Sequence, residues 1–167
     1  INELLANTGF SNIGLLSIDL DGNDYHIFKE INLSKINPSI IVLEYNSVFG
    51  KDRLITVPYD KYFNRTKAHY SNLFFGASLS ALNYLALKKG YSLVGCNIAG
   101  TNAFFVRKDL LNENVKELTS EIAFKESQTR ESRDTDYSLS FIAGKERLEL
   151  IKGLEVVNVL TEKKEKL

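Results

Sequence analysis

The chain has 167 residues, of which 44% are hydrophobic and 11% aromatic, enough for one domain of ordinary size with its own core. Lys+Arg and Asp+Glu number 21 each, and a net charge of zero argues against a surface that binds nucleic acid or anionic membranes. The single cysteine, Cys96, excludes an internal disulfide, and no apolar run reaches the roughly 18 residues that span a bilayer. We therefore expect a reduced, cytoplasmic protein whose partners are neither nucleic acid nor membrane.

The first third of the chain predicts alternating helices and strands. Residues 2–7 have the pattern of a short helix, and residues 14–20 (GLLSIDL) that of a strand. Apolar residues then recur at helical spacing from Tyr25 to Leu33, and residues 39–45 (SIIVLEY) form the clearest strand. Both strands are almost continuously apolar, as in parallel α/β sheets that are covered on both faces. We expect the two strands to be adjacent and parallel.

The remainder of the chain predicts an aromatic-rich loop, a helix followed by two strands, and a helical appendage. Residues 46–76 are irregular, and loops of this length with aromatic content are usually functional lids. A helix follows from Ala77 and stops at Gly90, and residues 91–96 and 102–106 predict two strands around a tight turn. Residues 114–131 and 145–154 favour helices before a frayed Lys/Glu tail. This divides the chain into residues 2–110 and a helical appendage at 111–167.

The first strand also predicts that the sheet has a further strand, which this chain does not obviously supply. A strand as apolar as residues 15–20 needs neighbours on both edges, and only one partner is obvious in the chain. The chain contains no Met and begins at Ile1 without a secretion signal, so we expect a fragment. Either a missing N-terminal segment or a second subunit of a homo-oligomer would cover the open edge.

Acidic residues cluster where the predicted strands end. Asp19 and Asp21 follow the first strand, and Glu44 and Asn46 follow the second. Ligands of open α/β sheets lie at the carboxyl ends of strands, and carboxylate and amide oxygens suit a hard cation such as Mg²⁺. We predict Asp21, Glu44 and Asn46 as metal ligands. The alternative interpretation is that Asp21 and Asp24 cap the next helix and that Glu44 merely ends its strand.

Two further segments predict contact with a ligand. Residues 70–78 (YSNLFFGAS) lead into a helix whose free backbone N–H groups suit anions or polar ligand atoms, although Ser78 or Gly76 could equally act as a simple helix cap. The turn that ends at Asn102 is polar and is more often only a turn. His26 and His69 lack a spaced metal partner, and Cys96 has the character of a buried hydrophobe.

Four stretches of this sequence resemble, in the same order, the C-terminal half of FkbM-like S-adenosylmethionine-dependent methyltransferases. The resemblance covers about residues 2–110. Within the family, this sequence is similar to members that carry an Ile-Asp-Ile-Asp-Gly-Asn-Asp motif. The stretches are residues 15–25 (LLSIDLDGNDY), 42–47 (VLEYNS), 75–79 (FGASL) and 90–97 (GYSLVGCN). The resemblance implies a Rossmann-like sheet in which residues 15–19 and 40–44 are the fourth and fifth strands and the last two strands form an antiparallel hairpin.

The resemblance also implies an activity and a set of functional residues. The expected reaction is methyl transfer from S-adenosylmethionine to a hydroxyl or amine of a small metabolite or sugar, with Asp19 and Asp21 as catalytic residues. The glycine-rich cofactor loop and the acidic residue that holds the ribose have no counterpart here, so this chain would supply mainly the acceptor side. Asp19 and Leu20 would meet the cofactor. The expected acceptor-binding residues are Asn23, Tyr25, Phe75, Gly76, Ser78 and Asn102.

Two alternatives remain open. A strand that ends in Asp-Leu-Asp-Gly also occurs in phosphatases of the haloacid-dehalogenase type, where it presents the nucleophile and the general acid. However, Asn23 stands where those enzymes carry Thr or Ser, and a later Gly-Asp pair for Mg²⁺ is not evident. The second alternative is a non-catalytic interaction module derived from a methyltransferase.

Overall fold

The computed structural model describes residues 1–128 and 131–167. In this part of the chain, seven strands form two sheets: a four-stranded sheet in the order β1-β2-β5-β4, and a three-stranded sheet in the order β3-β6-β7. The strands are β1 (Leu15–Ile18), β2 (Ile40–Glu44), β3 (Ile55–Thr56), β4 (Tyr91–Cys96), β5 (Asn102–Arg107), β6 (Glu155–Asn158) and β7 (Lys164–Lys166). The fold is therefore mixed α/β.

The helices are short, with one exception, the ten-residue α5. None in the described part of the chain has both the length and the apolar character needed to cross a bilayer. They are α1 (Asn2–Asn7), α2 (Asp24–Glu30), α3 (Leu33–Ile36), α4 (Arg65–Ala68), α5 (Leu79–Lys88), α6 (Ser120–Ala123) and α7 (Glu146–Ile151).

The predicted parallel pair is confirmed. β1 and β2 are adjacent and parallel, with Leu15 opposite Ile40 and Ile18 opposite Leu43, and α2 and α3 lie between them in the chain. This register places the carboxyl ends of both strands at the same edge of the sheet. The other pairs of this sheet, β2–β5 and β5–β4, are antiparallel.

Two apolar cores hold these elements together. The larger core packs α2 and α5 against the four-stranded sheet through fully buried residues such as Phe28, Leu43 and Phe105. The smaller core joins the three-stranded sheet to the aromatic segment that follows β2, through Phe49, Ile55, Leu73, Ile151 and Val156. The burial of these side chains is the main favourable contribution to folding.

The prediction of a helical appendage at 111–167 is wrong in part. Within the range 114–131 only Ser120–Ala123 is helical, and the part that falls on residues 129 and 130 lies outside the described residues. The expected helix near 145–154 is present as α7, but the expected frayed tail forms β6 and β7, and β6 pairs with both β7 and β3. The boundary between 2–110 and 111–167 stays a prediction.

The expectation that β1 is covered on both faces is also wrong for this chain. Leu15 is 54% exposed, and Ser17 is exposed as well. Side chains alternate between the two faces of a strand, and the face that carries Leu15 and Ser17 is exposed, whereas Ile18 on the other face is buried. Among the strands described, β1 also pairs with β2 alone, so no described strand covers its other backbone edge.

Candidate functional site

Three carboxylates meet at the carboxyl edge of the parallel pair. Asp19 and Asp21 follow β1, and Glu44 is the last residue of β2. One carboxylate oxygen from each lies within 4.8 Å of the other two. Glu44 is only 8% exposed, whereas Asp19 and Asp21 are exposed. The sequence prediction that the two strand ends bring these acids together is confirmed.

A fourth carboxylate supports the turn on which two of these acids stand. Asp24 is fully buried, and its two oxygens accept hydrogen bonds from the backbone N–H groups of Leu20 at 2.9 Å and Gly22 at 3.0 Å. Asp24 is the first residue of α2, and the residue before the helix, Asn23, makes no side-chain cap bond. Asp24 therefore turns back to the loop instead of capping the helix.

The environment of Asp24 shifts the titration of its carboxyl to higher pH. Burial raises the pKa of the Asp24 carboxyl to about 6, and the nearby charge of Glu44 raises it further, while the bonds from Leu20 and Gly22 oppose the rise. The site thus combines exposed acids with a buried acid that titrates near neutral pH.

The segment from Val57 to Arg65 lies against the acidic turn. The Asn23 amide Nδ2 donates to the backbone oxygen of Asp60 at 2.8 Å, and the ring of Phe63 lies directly against Gly22. The nearest Arg65 nitrogen lies 3.5 Å from an Asp21 oxygen. This is part of the long loop expected to act as a lid, and it contacts the residues that the lid would cover.

A model of the Methyltransferase FkbM domain matches residues 1–92 of this chain, which include β1, β2, the acidic turn and the segment that covers it. The chain belongs to the FkbM methyltransferase family. Searches of curated proteins and of solved structures found no match.

Arg65 is a residue of this FkbM domain that the sequence reasoning missed. Its Nε donates to the backbone oxygen of Asn72 at 2.6 Å, and its guanidinium carbon lies 4.0 Å from the centre of the Phe75 ring. Both contacts hold the guanidinium beside Asp21. In the sequence, Arg65 is one of two arginines in the irregular aromatic segment 46–76, and an arginine in such a segment does not specify a partner.

Several predicted functional residues of the FkbM domain instead hold the loop and α5 in place. The Asn46 amide donates to the backbone oxygens of Leu73 and Phe75 at 2.8 and 3.0 Å, and its oxygen accepts from the Val48 N–H at 3.0 Å. The structure therefore does not bring Asn46 to the acids as a metal ligand. Its short amide instead ties the chain after β2 to the aromatic segment.

Ser78 and Gly76 have the helix-cap and turn roles of the alternative interpretation. Ser78 is fully buried, and its hydroxyl caps α5 at Ala81 and donates to the backbone oxygen of Arg53 at 2.6 Å. Gly76 has a φ of +62°, and its carbonyl accepts from Val57 and from the Thr56 hydroxyl. Neither residue has a polar side-chain atom turned toward the acidic edge.

The other predicted binding residues divide between the site and the core. Asn102 lies directly opposite Glu44 in the β2–β5 register, and Leu20 is 50% exposed on the acidic turn. Tyr25 and Phe75 are buried in the core, at 6% and 1% exposed, so their rings offer almost no surface to a ligand. Their roles toward an acceptor stay predictions.

Proposed function

We propose that this chain forms the acceptor side of a methyltransferase that moves a methyl group from S-adenosylmethionine to a hydroxyl, or an amine, of a small metabolite or sugar. The observation that carries the proposal is the meeting of Asp19, Asp21 and Glu44 at the strand edge, within the region that the FkbM domain model matches. Carboxylates at this edge can accept the proton that an acceptor group loses.

The topology supports an assignment of the strands. We take β1 and β2 as the fourth and fifth strands of a Rossmann-like methyltransferase sheet, because they form the parallel pair that bears the acidic turn. The antiparallel hairpin of β4 and β5 then corresponds to the end hairpin of such a sheet.

The residues of this chain fit one side of a cofactor site. The segment after β1 reads Asp-Leu-Asp-Gly-Asn and that after β2 reads Tyr-Asn, so neither parallel strand is followed by a glycine-rich loop. Asp19 and Leu20 are exposed at the strand end and would meet the cofactor there. Most cofactor contacts would come from elsewhere in the protein.

The chemistry asked of these residues is proton management and alignment. The cofactor supplies an electrophilic methyl group on sulfur. Asp19 or Asp21 would take the proton that the acceptor group loses when it receives this methyl group. Asn23, on the acidic turn, and Asn102, opposite Glu44, would orient the acceptor, and the Val57–Arg65 segment would exclude water above it.

A divalent cation is a second way to activate the acceptor. Asp19, Asp21 and Glu44 offer carboxylate oxygens within 4.8 Å of one another, a spacing that a small movement could close around Mg²⁺. The ion would lower the pKa of an acceptor hydroxyl, and the acids would then act as ligands. Activity that survives a chelator, with no gain on added Mg²⁺, would exclude this variant of the proposal.

We also propose that the free edge of β1 pairs with another strand, supplied by a further segment of the protein or by a second copy. Leu15 of β1 is 54% exposed, and two other apolar side chains near the start of the chain, Leu4 and Phe10, are 69% and 68% exposed. Light scattering on the purified chain tests the second copy, which a dimer would support. A monomer whose free β1 edge exchanges its amide protons with solvent would show that this edge needs no partner strand.

The experiment that tests the activity is methyl-labelled S-adenosylmethionine incubated with the complete protein, including the part proposed to supply the remaining cofactor contacts, and a panel of monosaccharides, polyols and amines. We expect label in one acceptor class and formation of S-adenosylhomocysteine. The Asp21→Asn variant should lose orders of magnitude in rate with little change in melting temperature, because Asn nearly keeps the shape but cannot take the proton. Asp136→Asn, a distant exposed aspartate, is the matched control.

The alternatives give different results in the same preparations. Hydrolysis of a generic aryl phosphate without use of S-adenosylmethionine would support a haloacid-dehalogenase-type phosphatase. Absence of both activities, with no thermal stabilisation by S-adenosylmethionine or S-adenosylhomocysteine, would support a non-catalytic interaction module.

A further inference from the structure

One buried carboxylate beside the site has no part in the proposed proton transfer. Asp24 is 0% exposed, and both of its oxygens are engaged by backbone N–H groups, from Leu20 and from Gly22. These two amides lie on either side of Asp21 in the chain. A single side chain therefore holds the acidic turn by hydrogen bonds at two points, and we call this pair of hydrogen bonds the grip.

The turn has a conformation that needs such support. Asp21 has a φ of +52°, in the left-handed region that L-residues other than Gly occupy at a cost. Asp21 and Asp19 are exposed, so core packing does not hold their side chains. A charge-assisted hydrogen bond is stronger than a neutral one, and Asp24 supplies two.

The group that grips the turn is itself anchored in the core. Asp24 begins α2, and the next turns of this helix bury Tyr25 and Phe28 at 6% and 0% exposed in the larger core. Asp24 therefore connects the turn to the buried core. This connection fixes where the carboxylates of the turn lie relative to Glu44 at the end of β2.

We propose that Asp24 is a positioning residue, which fixes the Asp19–Gly22 turn so that the carboxylates of Asp19 and Asp21 stand beside Glu44. The catalytic consequence rests on the proposed function, whereas the grip on the turn does not. Misplacing a reacting group by about 1 Å can cost on the order of 10²-fold in rate. Loss of Asp24 should therefore lower kcat.

The test compares Asp24→Asn with the wild type in the same complete protein that is used for the activity assay. An amide side chain has one oxygen, so at least one of the Leu20 and Gly22 N–H groups should exchange with solvent at least about tenfold faster. We expect kcat for the acceptor found in the panel to fall about 10²-fold, with the KM for S-adenosylmethionine within about twofold. Asp136→Asn, whose carboxylate also accepts a backbone N–H two residues later, should change neither.

Two results would overturn the proposal: both amides protected as in the wild type, whatever the kcat, or faster exchange with unchanged kcat. If Asp24→Asn fails to fold, scalar couplings across the hydrogen bonds decide the question in the wild type. Couplings from the Leu20 and Gly22 nitrogens to the Asp24 carboxyl carbon support the grip, and their absence refutes it. A wild type that transfers no methyl group refutes the proposed function and leaves these couplings to judge the grip alone.

Discussion

Gly22 lies so close to Phe63 that no larger residue fits beside the ring. A Cβ built on Gly22 would stand 2.2 Å from Cδ1 and Cε1 of Phe63, and 3.0 Å from Cγ. Because Cγ is near the backbone, the ring cannot escape by moving its far end alone. This contact ties the covering segment to the acidic turn, and it explains the glycine without any appeal to backbone freedom.

Gly22→Ala should therefore displace Phe63 and destabilise the chain by about 1–3 kcal/mol, the usual cost of overpacking. Chemical denaturation measures this loss. The matched control is Gly14→Ala, which lies just before β1 and where a Cβ would meet nothing within 4 Å. A Gly22→Ala variant as stable as the control would show that the segment yields freely at this point.

Arg65 should not tolerate Lys. The planar guanidinium stacks 4.0 Å from the Phe75 ring centre while Nε donates to Asn72, and an ammonium group cannot reproduce both contacts. We expect Arg65→Lys to lower the free energy of unfolding by about 1–2 kcal/mol. Lys67→Gln, at an exposed position of α4, should change it by less than about 0.5 kcal/mol. Equal stability of Arg65→Lys and wild type would contradict this account.

The parallel pair and its three acids could be predicted because the signals are local. Residues 40–43 are continuously apolar and are followed by Glu44, and the carboxyl ends of adjacent parallel strands share one edge. The role of Asp24 could not be predicted, because an acid at the start of a helix more often caps that helix than accepts hydrogen bonds from the loop before it. Only the three-dimensional turn distinguishes the two.

The second sheet could not be predicted for a different reason. β3 has two residues, too few for a periodic pattern, and its partner β6 lies about a hundred residues later in the chain. The Lys/Glu composition of β7 is typical of a solvated tail, yet Lys164 and Lys166 lie on an edge strand, where charged residues discourage further pairing. Long-range pairing thus overrides the local preference.

The stability of the chain should depend on pH through Asp24. Burial raises its pKa from 3.8 to about 6, so the native state holds this proton more tightly than the unfolded state does. Its favourable contribution is complete below pH 3.8 and is lost as the pH rises through about 6. At about 1.4 kcal/mol per pH unit, wild type should lose about 3 kcal/mol relative to Asp24→Asn between about pH 4 and 7. Denaturant unfolding of both proteins across this range measures the gap, and a constant gap would contradict the prediction.

Cys96 should react slowly with thiol reagents in the folded chain. Burial raises the pKa of its thiol to about 11, although a hydrogen bond with Tyr45 and the charge of Lys125 oppose the rise. The thiolate is the reacting species, so alkylation at about pH 8 should be on the order of 10²-fold slower than in the urea-unfolded chain. Because Cys96 is the only cysteine, the reagent reports on one site. Equal rates before and after unfolding would show that the thiolate forms readily in the native state.

Ile151 tests whether the segment after residue 110 unfolds with the rest of the chain. Its side chain is 0% exposed in the smaller core, where Phe49 and Ile55 come from the earlier part of the chain and Val156 from the later part. Ile151→Ala leaves a cavity among residues of both parts and should cost about 2–5 kcal/mol. If the two parts form one cooperative unit, tyrosine fluorescence and far-ultraviolet circular dichroism should shift together to lower denaturant in one transition.

Ile122→Ala, at a side chain that is 66% exposed, is the matched control and should leave the midpoint nearly unchanged. Two separated transitions, with only the earlier one moved by Ile151→Ala, would instead show that residues 111–167 unfold as a unit of their own.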